Sequence, residues 1–223
     1  MSRLAIVMPV LDEAEGIVAT LQALAPLRAR GVELVVVDGG SRDASVERAR
    51  PLADRVSGAP RGRARQMNAG AAACGAPRLL FLHADTLLPA QTDELVHAAL
   101  ERQAWGRFDV RIAGRSALFP LIAALMNRRS RWSGIATGDQ AMFMTRAAFD
   151  AVGGFPDQPL MEDIELSVRL RRLGPPACLR DRVLTSGRRW EQRGVWSTIW
   201  LMWRLRFAYW RGADPAGLAA RYR

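Results

Sequence analysis

The 223-residue sequence contains no lysine; all 32 of its basic residues are arginine. We attribute that uniformity to genome composition, so it is not by itself a phosphate signature. Cysteine is nearly absent: Cys74 and Cys178 have no paired spacing, which excludes a zinc site and a disulfide framework. Histidine occurs only at positions 83 and 97. No apolar run approaches the roughly 20 residues needed to span a bilayer. No internal repeat, low-complexity tract or long polar linker divides the chain, and its length suits one sizeable core. The N-terminus opens directly into Leu4-Ala5-Ile6-Val7-Met8, without a charged-then-apolar leader. A cytoplasmic location is therefore expected.

What is present is an alternation of short apolar runs and amphipathic stretches. Strands are expected at 4–8, 33–37, 55–56 and 78–82, with helices around Ile17, Leu21 and Leu24 and across 44–52, 62–73 and 91–103. This rhythm predicts an α/β fold with a mostly parallel sheet covered on both faces. The second half is less regular, with strands expected at 108–112 and 141–144 and helices at 117–127 and 146–152. The net charge of +10 suits nucleic acid, anionic lipid or a phosphorylated ligand. No nucleic-acid module is recognisable, and the aromatics form no strand-borne stacking pattern, so nucleic acid is not an expected partner.

Three acidic motifs stand where strands or loops give way to helices. Glu33-Leu34-Val35-Val36-Val37 ends at Asp38-Gly39-Gly40-Ser41-Arg42-Asp43. Glycines there allow a close backbone approach to a ligand and Asp38 can bond a base or ribose, although Asp-Gly is also an ordinary turn. Arg78-Leu79-Leu80-Phe81-Leu82 ends at His83-Ala84-Asp85. A carboxylate at a parallel strand's C-terminal end stands where open α/β sheets bind ligands, and it offers Mg²⁺ or Mn²⁺ a hard oxygen; a helix cap is the alternative. In the third, Gly153-Gly154-Phe155-Pro156 leads to Glu162-Asp163 on a helix marked by Leu166, Leu170 and Leu173, with Glu165 and Arg169 as an outward pair. Acids on an opening turn are favoured by the helix dipole, so capping and chemistry both remain open readings for Asp163.

In sequence, Met8-Pro9-Val10-Leu11-Asp12-Glu13, Val37-Asp38-Gly39-Gly40-Ser41, His83-Ala84-Asp85, Gly138-Asp139-Gln140 and Glu162-Asp163 resemble the family 2 glycosyltransferases and their GT-A fold. The resemblance runs from residue 3 to about 190. It is strongest to a short bacterial branch associated with radical-SAM and selenodomain proteins, or with arsenosugar biosynthesis. It implies an inverting transfer of a sugar from a nucleotide-diphosphate donor, with UDP the favoured carrier, to an acceptor hydroxyl. Asp163 would be the general base and Glu162 would position a neighbour. Pro9, Leu11, Glu13, Asp38, Arg65 and Asn68 would face the nucleotide sugar, while Asp139 and Gln140 would face the donor sugar and acceptor. Asp85 matches the last acid of the family's Asp-X-Asp element and would hold Mn²⁺ or Mg²⁺. The first acid of that element is replaced by His83, assigned to the nucleotide because imidazole suits Mg²⁺ poorly. The late histidine metal ligand of related enzymes has no counterpart, since His97 falls on an expected surface helix. Arg188 and Arg189 could instead hold the diphosphate, or be solvated surface arginines. Two other classes remain: a nucleotidyltransferase, which should carry a basic Gly-rich loop after its first strand, and a non-catalytic sugar-nucleotide or membrane-binding module.

Residues 1–190 are expected to form the glycosyltransferase domain and 191–223 an amphipathic helical tail. There Trp196, Trp200, Trp203, Phe207 and Trp210 recur at steps of four, three, four and three, with Arg193, Arg204 and Arg211 beside them. Trp beside Arg suits the interface of an anionic membrane. Packing onto the domain, or onto a second copy in a homodimer, would also account for the stripe.

Overall fold

The computed structural model describes residues 3–222. Among these, eight strands form one sheet: β1 (Ala5–Val10), β2 (Glu33–Asp38), β3 (Arg55–Gly58), β4 (Arg78–Phe81), β5 (Thr86–Leu87), β6 (Trp105–Ala113), β7 (Phe143–Thr145) and β8 (Ala177–Ser186). Their order is β3-β2-β1-β4-β7-β6-β8-β5. The first four are parallel, with Ile6 opposite both Leu34 and Leu80. Beyond β4 the sheet becomes mixed. β7 is antiparallel to β4 and β6, β8 is parallel to β6, and β5 is antiparallel to β8.

The helices are α1 (Ile17–Ala23), α2 (Ala25–Ala29), α3 (Ser45–Ala49), α4 (Arg63–Ala73), α5 (Thr92–Leu100), α6 (Phe119–Ser133), α7 (Arg146–Ala151), α8 (Glu162–Leu170), α9 (Arg188–Arg193), α10 (Val195–Trp210) and α11 (Pro215–Tyr222). Strand side chains alternate between two cores, as the two-residue period requires. Ile6, Met8, Leu34, Val36 and Leu80 join Ile17, Leu21 and Ile122 on one face. Val7, Val35, Leu79 and Phe81 join Met67, Leu166 and Leu170 on the other. Each such side chain, fully buried, contributes roughly 1.5–3 kcal/mol. Helix α4 lies so close to the sheet that a Cβ on Gly70 would come within 2.3 Å of the Val7 Cγ1.

The tail is fastened to the rest of the chain. Leu205 and Leu218 are buried against Leu160 and Met161, while Val195 and Ile199 pack on the larger core. The Trp stripe takes no part in that packing: Trp196, Trp200, Trp203, Phe207 and Trp210 are 62–77% exposed. Helix α10 thus buries its apolar face and leaves its aromatic face uncovered, which corrects the expectation that the stripe could pack onto its own domain.

Candidate active site

The C-terminal ends of β1 and β4 open into a cavity of about 650 Å³. Pro9, Leu11 and Glu13 line it from β1 and the loop that follows, and His83 and Asp85 from the end of β4. The first loop is fixed by the second: Asp12 and Glu13 donate their N–H groups to Ser41 and Ser45 Oγ at 2.9 and 2.8 Å. Asp38 holds the turn between them, its carboxylate accepting from Gly40 N at 2.9 Å and from Ser41 N and Oγ at 3.0 and 2.5 Å. Asp38 organises the loop and is not among the residues lining the cavity.

The pairing of β5 with β8 brings Asp85 to the start of α9. Ser186 N donates to Asp85 O at 3.2 Å, and Arg188 follows, its guanidinium 3.4 Å from the Glu13 carboxylate. Both Arg188 and Arg189 line the cavity, and Arg189 also stacks on Tyr222 at 4.5 Å. Glu13 is pushed above the usual carboxylate range, mainly by burial and further by the Asp85 charge, with Arg188 opposing. Among the described residues Asp85 makes no ion pair, and its carboxylate accepts only a long 3.4 Å bond from Thr86 Oγ1. No group of three or more His, Cys, Asp or Glu side chains is arranged to hold a metal among the described residues. One unpaired carboxylate facing a cavity with Glu13 beside it nevertheless fits a hard cation that takes its remaining oxygens from a diphosphate.

Across the cavity, α8 begins with strain. Met161 is its buried N-cap residue and adopts φ +66°, a left-handed conformation costly for a side chain this large. The turn sends consecutive acids in different directions. Glu162 goes inward, 3% exposed, and pairs with Arg63 at 2.9 Å. Burial raises its pKa and Arg63 opposes the rise. Asp163 faces the cavity. Its Oδ1 accepts from Ile164 N at 2.7 Å, and its Oδ2 accepts from Gly138 N at 2.8 Å. It therefore does more than start a helix: it ties α8 to the short 3-10 turn Gly138–Gln140.

That turn carries Asp139, whose carboxylate lies 3.4 Å from His83 Nδ1. For His83 burial is the largest influence and opposes the charge, but the bond and charge of Asp139 together with the Asp85 charge raise the pKa. For Asp139 burial acts upward, and His83 with Arg63 and Arg206 brings the net shift down. Gln140 is fully buried beneath the turn and accepts from Thr137 N at 3.3 Å, so it shapes the loop from behind.

Two expected nucleotide contacts are engaged elsewhere. Arg65 forms an exposed pair with Asp157 at 2.7 Å. Asn68 clamps the Phe155 backbone, donating to its O at 2.8 Å and accepting from its N at 2.9 Å. The residues of this segment that reach the cavity are Arg61, Gly62, Arg63 and Gln66. The reason is angular: Arg65 lies about 200° around the helix from Arg63 at 3.6 residues per turn. Arg63 is held charged despite burial by Glu162, Asp163, Asp139 and Asp85 together.

Sequence comparison decides the family. The pattern described as Glycosyl transferase family 2 matches residues 5–153, about two thirds of the chain. This chain belongs to glycosyl transferase family 2. No curated protein matches it in a direct search. Among solved structures, the mannosyltransferase PcManGT from Pyrobaculum calidifontis, in complex with GDP-Man and Mn²⁺, is 21% identical at a TM-score of 0.66, over 92% of this chain and 61% of that one. Staphylococcus aureus TarS 1–349 in complex with UDP is 19% identical at 0.63, over 83% and 60%. Glucosyl-3-phosphoglycerate synthase from Mycobacterium tuberculosis, with Mn²⁺, UDP and phosphoglyceric acid, is 22% identical at 0.59, over 81% and 68%. The chain spans about three fifths of the first two. At these identities the likeness establishes the GT-A type of fold: a mixed α/β sheet flanked by helices.

Proposed function

We propose that this glycosyltransferase moves a sugar from a nucleoside diphosphate, UDP by preference, to an acceptor hydroxyl with inversion at the anomeric carbon. One observation carries the reading. Asp163 faces the cavity that Pro9, Leu11, Glu13 and Asp85 line at the strand ends, and two backbone N–H groups fix its carboxylate. In the step, the acceptor oxygen bonds to the anomeric carbon as the bond to the diphosphate oxygen breaks, and the acceptor proton passes to Asp163. Glu162, locked to Arg63, holds the turn that aims Asp163. Asp139 and His83 form the floor beneath the sugar, and Arg188 and Arg189 stand beside Asp85 for the diphosphate. Asp85 would hold Mn²⁺ or Mg²⁺, which when bound neutralises charge growing on the leaving diphosphate.

Of the other classes, a nucleotidyltransferase is disfavoured by the family match and by Pro9-Val10-Leu11-Asp12-Glu13, which offers no basic Gly-rich loop. Within the family we place the chain, on its motif order, in the short bacterial radical-SAM and selenodomain-associated branch. We also read the uncovered Trp stripe as a contact with anionic lipid on the cytoplasmic face of a membrane, since Arg204 and Arg211 flank it. No helix among the described residues is long and apolar enough to cross one. Thermal-shift screening against a panel of nucleotide sugars, followed by donor hydrolysis with and without Mn²⁺, tests the central reading. Stabilisation and slow hydrolysis of one donor are expected; a protein that binds no nucleotide sugar refutes it.

A further inference from the structure

The cavity is basic at two separate places. At one, Arg188 pairs with Glu13, and the charges acting on Arg189 include those of Asp85 and Asp139. At the other, Arg206 of α10 lines the wall, with Arg129 of α6 behind it, and the carboxylates acting on both are Asp163 and Asp139. Asp85 is among the charges felt by Arg189 and not among those of the second pair.

This second pair lacks what buried guanidinium groups normally have. Among the described residues, neither Arg129 nor Arg206 forms an ion pair or a side-chain hydrogen bond, and Arg129 Nε, Arg129 Nη2 and Arg206 Nε are buried with no partner at all. Neighbouring charge aggravates this. Arg129 is pushed down to about 10 by burial and by repulsion from Arg206 and Arg107, and burial likewise lowers Arg206. The nearby acid Asp109 is already shared between Arg107 and Arg131. Adjacent cations with buried donors that reach neither water nor an acceptor destabilise a fold unless an anion completes them. Guanidinium is suited to carboxylate and phosphate, which it can grip through two parallel bonds.

We propose that Arg129 and Arg206 form an anion-binding acceptor subsite, so that the acceptor carries a carboxylate or phosphate beside the hydroxyl that receives the sugar. The placement rests on the preceding reading of Asp163 as the base, because the acceptor hydroxyl must lie against it. The anionic group then anchors the acceptor on the α10 side and leaves the Asp85 side to the donor.

Calorimetry with inorganic phosphate as the probe, on protein saturated with UDP and Mn²⁺, tests this directly. Phosphate is expected to bind alongside UDP. Arg206→Gln and Arg129→Gln should each weaken it about tenfold or more, the loss of one charge-assisted hydrogen bond, while UDP affinity changes less than about twofold. Phosphate excluded by UDP, or a variant weakening UDP as much as phosphate, overturns the proposal and returns these arginines to the donor diphosphate. Arg206→Lys, which keeps the charge, serves if the glutamine variant unfolds; it should weaken phosphate by a smaller factor. A second measurement compares glycerol 3-phosphate, glycerate and glycerol as stimulants of donor consumption. The first two distinguish phosphate from carboxylate, and glycerol performing as well as both sinks the idea. Asp163→Asn separates the two readings: if it retains transfer while phosphate still binds, the base assignment fails and the anion subsite stands.

Discussion

Gly138 and His83 are in such close apposition that a Cβ at position 138 would lie 2.3 Å from His83 Nε2. That contact joins the floor of the cavity to the end of β4, because Gly138 N also bonds Asp163 and the next residue, Asp139, holds His83. Gly138→Ala must therefore displace the imidazole, and overpacking of this kind costs about 1–3 kcal/mol. A lower melting temperature and a fall in kcat/KM are expected. The penalty on melting should shrink sharply in a His83→Ala background, which a double-mutant cycle measures. Additive losses would show that the two residues do not press on each other.

Asp163→Asn keeps an oxygen for one backbone N–H but removes the proton acceptor. Transfer should fall by roughly 10²–10⁴-fold, with donor affinity little changed. Glu162→Gln should cost less. Near-normal transfer by Asp163→Asn, or its unfolding in a circular dichroism melt, would reduce the residue to a tie between α8 and the Gly138 turn.

Asp85→Ala should abolish any enhancement of nucleotide binding by Mn²⁺ or Mg²⁺ in calorimetry, because the neighbouring carboxylate, Glu13, is already paired with Arg188. The same metal-dependent affinity in the variant would rule out Asp85 as the principal ligand.

Glu162 gives a pH signature. Its folded pKa is raised by burial, so the stability linked to its proton is complete below the unfolded value of 4.5 and is lost as pH rises through the folded value. Glutamine mimics the protonated form. The melting temperature of Glu162→Gln relative to the native protein should therefore climb as pH rises from 4.5 through the folded value. A difference that is flat or falls with pH would mean that Arg63 fully compensates the buried charge.

If the α10 stripe meets lipid, the protein should bind phosphatidylserine-containing vesicles, and less so as salt screens the attraction. Trp200→Ser with Trp203→Ser should weaken that binding without lowering the melting temperature, since both rings are exposed. Dimerisation seen by light scattering, with no vesicle binding, would assign the stripe to a second copy.

The parallel half of the sheet was legible because β1, β2 and β4 are unbroken apolar runs, and the acids that follow two of them mark the cavity rim. Strand β8 was not legible. Its centre, Arg180-Asp181-Arg182, is charged and exposed, which hides the period, and with it went the β5–β8 pairing that carries Asp85 to Arg188. Helix α6 was expected to stop at 127 but runs to Ser133, through the polar stretch Asn127-Arg128-Arg129-Ser130-Arg131, before Gly134 ends it at φ +64°. The same polarity concealed Arg129. Arg206 was overshadowed by the Trp stripe, whose centre lies only about 80° around the same helix. Arg63 was passed over for Arg65 because sequence spacing alone does not say which face of α4 meets the cavity.

The family pattern ends at residue 153, yet Asp163, Thr198, Arg206 and Tyr222 all line the cavity from beyond it. On the proposed reading both reactants are met from either side of that boundary: Arg188 and Arg189 join Asp85 at the donor diphosphate, and Arg206 joins Arg129 at the acceptor. Under that reading a change within residues 160–222 reaches the diphosphate clamp as well as the acceptor wall. A chimera carrying a relative's last third should therefore alter how the nucleotide is held as well as which acceptor is taken.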